Sequence, residues 1–336
     1  MQSIKLRTEI EQPRGNRELT ISHATPVMLV GSCFSDNMGR MLTERLFDTS
    51  VNPVGILFNP LSISRAISNI ATLTYPTDVA KLVRTADDGV YHSLDFHGSF
   101  SSADPSEVLS ATEGAIREAN AFLKRASVLF LTFGSNHVYV HRADGQPVAN
   151  CHRLPASHFV EQTLTLDECV EAMRSAITMA RTVNPNLKIV LTVSPVRHTA
   201  YTLHGNMLSK ATLLLAADQI VTEMGGTVFY FPAFEILNDD LRDYRFYADD
   251  LKHPAEIAVR YIFDHLCMRY MSAETINFAE RCRALTARLS HRPQSASDDL
   301  IARLKVDVNR IAALLLKDAP ENTRKIIDAL IAPYNR

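Results

Sequence analysis

The strongest constraint on this chain is a rhythm of short apolar runs, each ending at a turn and each separated from the next by a longer amphipathic stretch. The runs are Val27-Met-Leu-Val-Gly31, Ser127-Val-Leu-Phe-Leu-Thr-Phe133, Lys188-Ile-Val-Leu-Thr-Val193 and Thr227-Val-Phe-Tyr-Phe231. Too short for core helices and rich in β-branched and aromatic residues, they read as strands buried on both faces. After the first run, Met38, Met41, Leu42 and Leu46 fall at helical spacing. Pro105-Ser-Glu opens a helix running to Arg125, and Thr165 with Glu168 forms a capping box ahead of Val170, Met173, Ile177 and Ala180. A fourth helix spans about Met207 to Met224, Gly225-Gly226 follows it, and Pro254 opens a last core helix. Buried strands alternating with helices need crossover connections, which predicts an α/β chain whose parallel sheet is covered on both faces.

Two insertions break the rhythm. Leu82-Val-Arg-Thr with Val90-Tyr-His flanks Asp88-Gly89, and Val138-Tyr-Val-His with Val148-Ala-Asn flanks Asp144-Gly145; each reads as a β-hairpin decorating the C-terminal rim of the sheet. After Met271 the strands stop. Ala273 to Leu289 reads as a helix, His291 to Ser297 as a linker, and Asp298 to Lys317 and Glu321 to Ala332 as amphipathic helices. The expected division is an α/β domain over 1–271 and a C-terminal helical appendage over 272–336, a candidate surface for homo-oligomers.

Charge and cysteine usage remove several function classes. With 35 Lys+Arg against 37 Asp+Glu the chain has no basic surplus, so nucleic acid is not an expected partner. Charges interrupt the N-terminal apolar residues and no apolar stretch approaches the roughly 18 residues of a span, so neither secretion nor membrane insertion is expected. The five cysteines, Cys33, Cys151, Cys169, Cys267 and Cys282, are odd in number and lack a CxxC pair. Free thiols in a reducing, cytoplasmic compartment are expected, not a disulfide framework or a thiolate zinc site. No HExxH-type spacing points to a metal, and no cofactor is expected.

In an open parallel sheet, ligands bind beyond the carboxyl ends of the strands. Gly31-Ser32-Cys33-Phe34 puts two nucleophile-capable side chains at a strand-to-helix turn, where free N–H groups and the helix dipole stabilise an oxyanion or lower a thiol pKa. Ser32 as an N-cap beside a small buried cysteine is the competing reading. Asp249-Asp250-Leu-Lys-His253-Pro254 precedes the last core helix, and a carboxylate three residues ahead of a histidine can fix its tautomer and leave Nε2 as a base. A surface turn with a capping Asp competes with it. Asn136, after Gly134, could aim its amide at an oxyanion or stabilise a turn.

Taken together, Gly-nucleophile after the first strand, Gly-x-Asn after a middle strand and Asp-x-x-His before the last helix resemble the blocks of the SGNH/GDSL hydrolase superfamily. More closely, Val30-Gly-Ser-Cys-Phe-Ser35, Val51-Asn-Pro-Val-Gly-Ile-Leu-Phe-Asn-Pro-Leu-Ser62, Val148-Ala-Asn-Cys-His152, Ser194-Pro-Val-Arg-His198, Ser209-Lys210 and Tyr230-Phe-Pro-Ala-Phe-Glu235 resemble the GSCFA-domain family. The resemblance covers about Ile21 to Met271. It implies a three-layer α/β/α, flavodoxin-like (SGNH-hydrolase-like) fold and a hydrolase or acyl-transfer site acting on an ester, whether of a small molecule or a glycan. It also implies that Gly55 is the second-block glycine of the oxyanion hole, that Asn136 is a further donor, and that Asp250 and His253 are the fifth-block pair. Aligned on Gly-Asp-Ser, Gly31-Ser32-Cys33 puts Cys33 in the serine's place; a one-residue shift of the turn would put Ser32 there. A binding module that keeps the scaffold without the catalysis is the rival expectation. His152, Arg197, His198, Ser209 and Lys210 are candidates for the substrate pocket, each with a plain rival as a packed, capping or solvated residue.

Overall fold

The computed structural model describes residues 19–87, 89–290 and 298–334. Asp88 at the first hairpin tip, the 291–297 linker and the charged N-terminal segment lie outside the described residues. In chain order the elements of the α/β part are β1 (Val27–Gly31), α1 (Cys33–Thr43), β2 (Thr49–Val51), α2 (Pro60–Thr72), β3 (Val83–Arg84), β4 (Tyr91–His92), α3 (Pro105–Arg125), β5 (Val128–Phe133), β6 (His137–His141), β7 (Pro147–Val148), β8 (Phe159–Thr163), α4 (Leu166–Val183), β9 (Lys188–Val193), α5 (Thr202–Glu223), β10 (Val228–Tyr230), α6 (Ala233–Glu235) and α7 (Glu256–Tyr270). Three helices follow: α8 (Ala273–Ser290), α9 (Asp298–Asp318) and α10 (Glu321–Ile331).

The four apolar runs are strands of one parallel sheet in the order β10-β9-β5-β1-β2. Alternate residues of these strands face opposite ways. Met28, Val30, Leu129, Leu131, Ile189 and Leu191 pack with α2, α3, α4 and α5, while Val27, Leu29, Phe130, Val190 and Phe229 pack with α1 and α7. The result is the expected α/β/α layering. Order reverses between β1 and β5, since β2 lies on one side of β1 and every later strand on the other. In open parallel sheets such a reversal, here at the carboxyl ends of β1 and β5, is where ligands bind. Gly31 pairs with Thr132 there, at φ +147°, and a Cβ on it would lie 2.2 Å from the Thr132 carbonyl oxygen, so only glycine lets the two strands close.

Some elements differ from the sequence reading. β2 carries no apolar run because it is a half-buried, three-residue edge. The second hairpin gains a third strand, β8, which pairs antiparallel with β6 and buries only Phe159. α5 begins at Thr202, ahead of the expected Met207, because its first turn turns Asn206 onto a loop and leaves Leu203 exposed, so the apolar period starts late. Near the C-terminus, Cys282, Leu285, Val308, Ala312, Leu315 and Ile327 form a core of α8, α9 and α10 that also takes in Leu46. No helix among the described residues is long and apolar enough to cross a membrane.

Candidate active site

The site grows out of the β1–α1 turn. Ser32 is extended (φ −69°, ψ 173°) and caps α1, its Oγ accepting the Phe34 N–H at 3.3 Å. Its side chain is buried, at 1% exposure, whereas Cys33 at the first helical position is half-buried. Asn52, held at φ +41°, ties the turn from behind: Oδ1 accepts the Gly31 N–H at 2.8 Å and Nδ2 donates to Asp36 at 2.5 Å. The helix N-terminus does not set the thiol low, as the sequence suggested. Burial pushes the Cys33 thiol up and the Asp36 carboxylate adds to this, against weaker pulls downward from the Cys33 and Phe34 N–H groups and from Lys210.

Loops from three strands are knit together here. Leu57 N–H donates to the Gly31 carbonyl at 2.8 Å, and the Phe58 carbonyl accepts the N–H groups of Gly134 and Ser135 at 2.7 and 3.0 Å. Gly55, at φ +96°, is packed so tightly on His97 that a Cβ would fall 2.0 Å from the His97 Cβ. Its N–H, expected in the oxyanion hole, donates instead to the Asn52 carbonyl at 2.7 Å and closes a turn. Asn136 is likewise engaged. Its N–H donates to Ser209 Oγ at 3.0 Å and its amide nitrogen to the Leu164 carbonyl at 2.8 Å. The side chain is buried, so the amide anchors the loop in the resting geometry.

Asp250 and His253 meet as the local spacing predicts, Oδ2 lying 2.6 Å from Nδ1. The other carboxylate oxygen accepts the Lys252 and His253 N–H groups at 2.9 and 3.0 Å. Hydrogen bonding by the His253 ring, with those two N–H groups, holds Asp250 well below the usual carboxylate range. This leaves Nε2 as the basic nitrogen of His253. The loop is pinned by Arg197, whose N–H donates to the Lys252 carbonyl at 3.1 Å and whose guanidinium lies 4.0 Å from the Tyr247 ring and 5.1 Å from that of Tyr244. Arg197, a substrate-binding candidate by sequence, is therefore engaged in holding the histidine loop.

Two further candidates lie between these groups. His198 is half-buried, its ring edge-on to Phe58 at 5.6 Å and its Nε2 beside Gly134, with no hydrogen-bond partner for that nitrogen among the described residues. Burial, then the charges of Lys210, His137 and His253, push it down to about 4, so its imidazole is neutral near pH 7. Lys210 is fully buried and donates to the carbonyls of Gly134 at 2.5 Å and Ser194 at 2.8 Å. Ser209 beside it is also buried and its Oγ accepts the Asn136 N–H at 3.0 Å. His152 lies apart on the hairpin side, stacked on His92 at 4.6 Å with Nε2 against the Ser93 carbonyl at 2.9 Å. Sequence reading passed over Asn52 and Asp36; the signals were Asn52 standing second in the block that begins at Val51 and Asp36 lying one helical turn after Cys33. Among the described residues no group of three or more His, Cys, Asp or Glu could hold a metal ion.

The sequence matches the GSCFA family over residues 26–266. No curated protein matches the chain. Among solved structures, a carbohydrate esterase family 3 protein from Talaromyces cellulolyticus is similar over 76% of this chain and 98% of its own, at 10% identity and a TM-score of 0.37.

Proposed function

The chain belongs to the GSCFA family, and from that premise and the geometry of the site we propose that it is an SGNH-type acyl hydrolase that works through an acyl-enzyme on Cys33. The observation that carries the reading is the 2.6 Å contact of Asp250 with His253, on a loop tied to the residues after β9 through the Lys252 carbonyl, while Cys33 opens α1 directly after β1. His253 Nε2 takes the proton of the Cys33 thiol, and the sulfur attacks the ester carbonyl carbon. As the tetrahedral intermediate collapses, His253 returns the proton to the departing alcohol, leaving a thioester. Water, deprotonated by the same nitrogen, then releases the acid and restores the thiol; an acceptor hydroxyl in place of water would make the reaction a transfer. Developing oxyanion charge lies at the N-terminus of α1, where the Cys33 N–H and the helix dipole stabilise it. Gly55 and Asn136 build the walls of that hole through their turn and loop hydrogen bonds.

The test combines labelling with turnover. Iodoacetamide and a fluorophosphonate are mapped to peptides, and Cys33→Ala, Ser32→Ala and His253→Ala are assayed on short p-nitrophenyl esters. Cys33 alkylation, with loss of turnover in the Cys33 and His253 variants, is expected. Unchanged hydrolysis in both variants refutes the reading and leaves a scaffold that binds an acyl or carbohydrate ligand.

A further inference from the structure

Asp36 is the one acidic residue in the first turn of α1, and the mechanism gives its carboxylate nothing to do. Its place is fixed by a closed ring of contacts. Asn52, at the carboxyl end of β2, is buried and held at φ +41°, a conformation that asparagine tolerates. Its N–H donates to the Leu29 carbonyl at 2.8 Å and its Oδ1 accepts the Gly31 N–H at 2.8 Å, so its amide backs the β1–α1 turn. Its Nδ2 donates to Asp36 Oδ1 at 2.5 Å. The ring runs from Gly31 through Cys33 and the first turn of α1 to Asp36, and back through Asn52. It holds the carboxylate at the carboxyl ends of β1 and β2, the end of an open sheet at which ligands bind.

Two features turn this carboxylate towards a ligand. Cys33 and Asp36 stand three residues apart on α1, about 60° round the helix, and both are half-buried while Ser32, Phe34 and Ser35 between and beside them are buried. The two side chains therefore open on one side. A carboxylate accepts at both oxygens. Asn52 takes Oδ1, and among the described residues no donor meets Oδ2 and no cation lies within ion-pair distance of it. An acid in the first turn stabilises a helix from an exposed position as well, so that task does not require Asp36 to be half-buried. Beside the nucleophile it is also unhelpful to the chemistry, since its charge opposes that of the sulfur.

We infer that Asp36 is a specificity-determining residue: clamped by Asn52 through one oxygen, it accepts a substrate hydroxyl at the other, so the ester taken here is uncharged and carries free hydroxyl groups. This rests on the reading of Cys33 as the nucleophile. A carboxylate has acceptors only, so its ligand must be a donor. A hydroxyl gives it a charge-assisted hydrogen bond without bringing a second charge out of water. An ammonium adds the desolvation of its own charge, and an anionic ester is repelled. No bond is made or broken at Asp36; the carboxylate holds the substrate and the reaction proceeds at Cys33.

The experiment compares the full chain with Asp36→Asn, which keeps the shape of the side chain and an oxygen for Asn52 but removes the charge. Three acyl esters are assayed: ethyl acetate, glyceryl monoacetate with hydroxyls on the alcohol half, and ethyl glycolate with a hydroxyl on the acyl half. In the full chain kcat/KM for at least one hydroxylated ester exceeds that for ethyl acetate, and in Asp36→Asn that ratio falls about tenfold, the scale of a hydrogen bond to a charged group. Which ratio falls tells which half of the ester Asp36 holds; ratios equal in the two proteins overturn the inference. A second measurement needs no variant and no turnover. Glycerol or methyl glucoside is expected to slow alkylation of Cys33 by iodoacetamide, followed by peptide mapping, while Cys151, the other half-buried thiol, serves as control. Protection by choline and by neither polyol overturns the hydroxyl assignment, and protection by none of the three overturns the site. Failure of the functional reading is seen separately. If no ester is turned over while a polyol protects Cys33 and Asp36→Asn weakens that protection about tenfold, the binding site stands and the hydrolase does not.

Discussion

Ser32→Ala separates the two readings of the β1–α1 turn, because the structure gives the hydroxyl a specific and limited task. Ser32 Oγ accepts one N–H, that of Phe34, at 3.3 Å, toward the long end of the hydrogen-bond range. Replacing an N-cap serine by alanine costs about 1 kcal/mol, and the length of this bond places the cost near or below that figure. The backbone bond from Ser32 to the Thr132 carbonyl is untouched by the substitution. Against a typical stability of about 5–15 kcal/mol the variant stays folded. With about 1–3 kcal/mol per molar of urea, the unfolding midpoint should fall by about 0.3–1 M. Circular dichroism is the suitable probe, since the chain contains no Trp. Loosening the first turn of α1 should lower kcat/KM for a p-nitrophenyl ester by no more than about threefold, because about 0.6 kcal/mol of lost order at the nucleophile corresponds to that factor. Cys33→Ala should lower it by about 1000-fold or more, the scale seen when a covalent nucleophile is removed. The opposite pattern, Ser32→Ala inactive and Cys33→Ala active, would falsify the assignment of Ser32 as a cap and shift the nucleophile by one residue.

Gly31→Ala drives a Cβ into the Thr132 carbonyl at 2.2 Å and strains a φ of +147°, so it should destabilise the chain by about 3 kcal/mol or more, read from the same urea transition. A loss below about 1 kcal/mol would contradict the close β1–β5 approach. Arg197→Ala removes the stacking on Tyr247 and Tyr244 that holds the His253 loop; it should reduce kcat more than it raises KM, whereas a substrate-binding Arg197 would show mainly a KM effect. His198, pushed down to about 4 in the folded chain against about 6.5 unfolded, should show no imidazole titration by NMR between pH 8 and about pH 5. Across that interval the unfolded chain takes up a proton that the folded chain refuses, so stability falls as pH drops from about 6.5 toward about 4. His198→Gln should flatten that acid slope, and an unaltered slope would show that the imidazole is not buried as described.

How much of this was legible in the sequence follows from the range over which each feature is encoded. Strands β1, β5 and β9 announce themselves because burial on both faces writes an unbroken apolar run, and their carboxyl ends mark where chemistry belongs. β2 and β8 lie at sheet edges with little buried, so no run marks them. Among the site residues, the Asp250–His253 contact and the Ser32 cap are local, three and two residues apart, and their spacing alone predicted them. Gly55 shows the limit of a motif. Its residue type and its place in the second block are visible in the sequence, but whether its N–H is free depends on the turn, and Asn52 takes it. Arg197 and Lys210 show the same limit for charge. A cation after a strand reads as a ligand for an anion until its partners are known, and these are Tyr244 and Tyr247 for one, and the carbonyls of Gly134 and Ser194 for the other. Both cations look inward: Arg197 holds the loop that carries His253, and Lys210 ties the loops after β5 and β9. A substrate that binds here is therefore selected without a surface cation from either residue, which favours a neutral acyl ester over an anionic one.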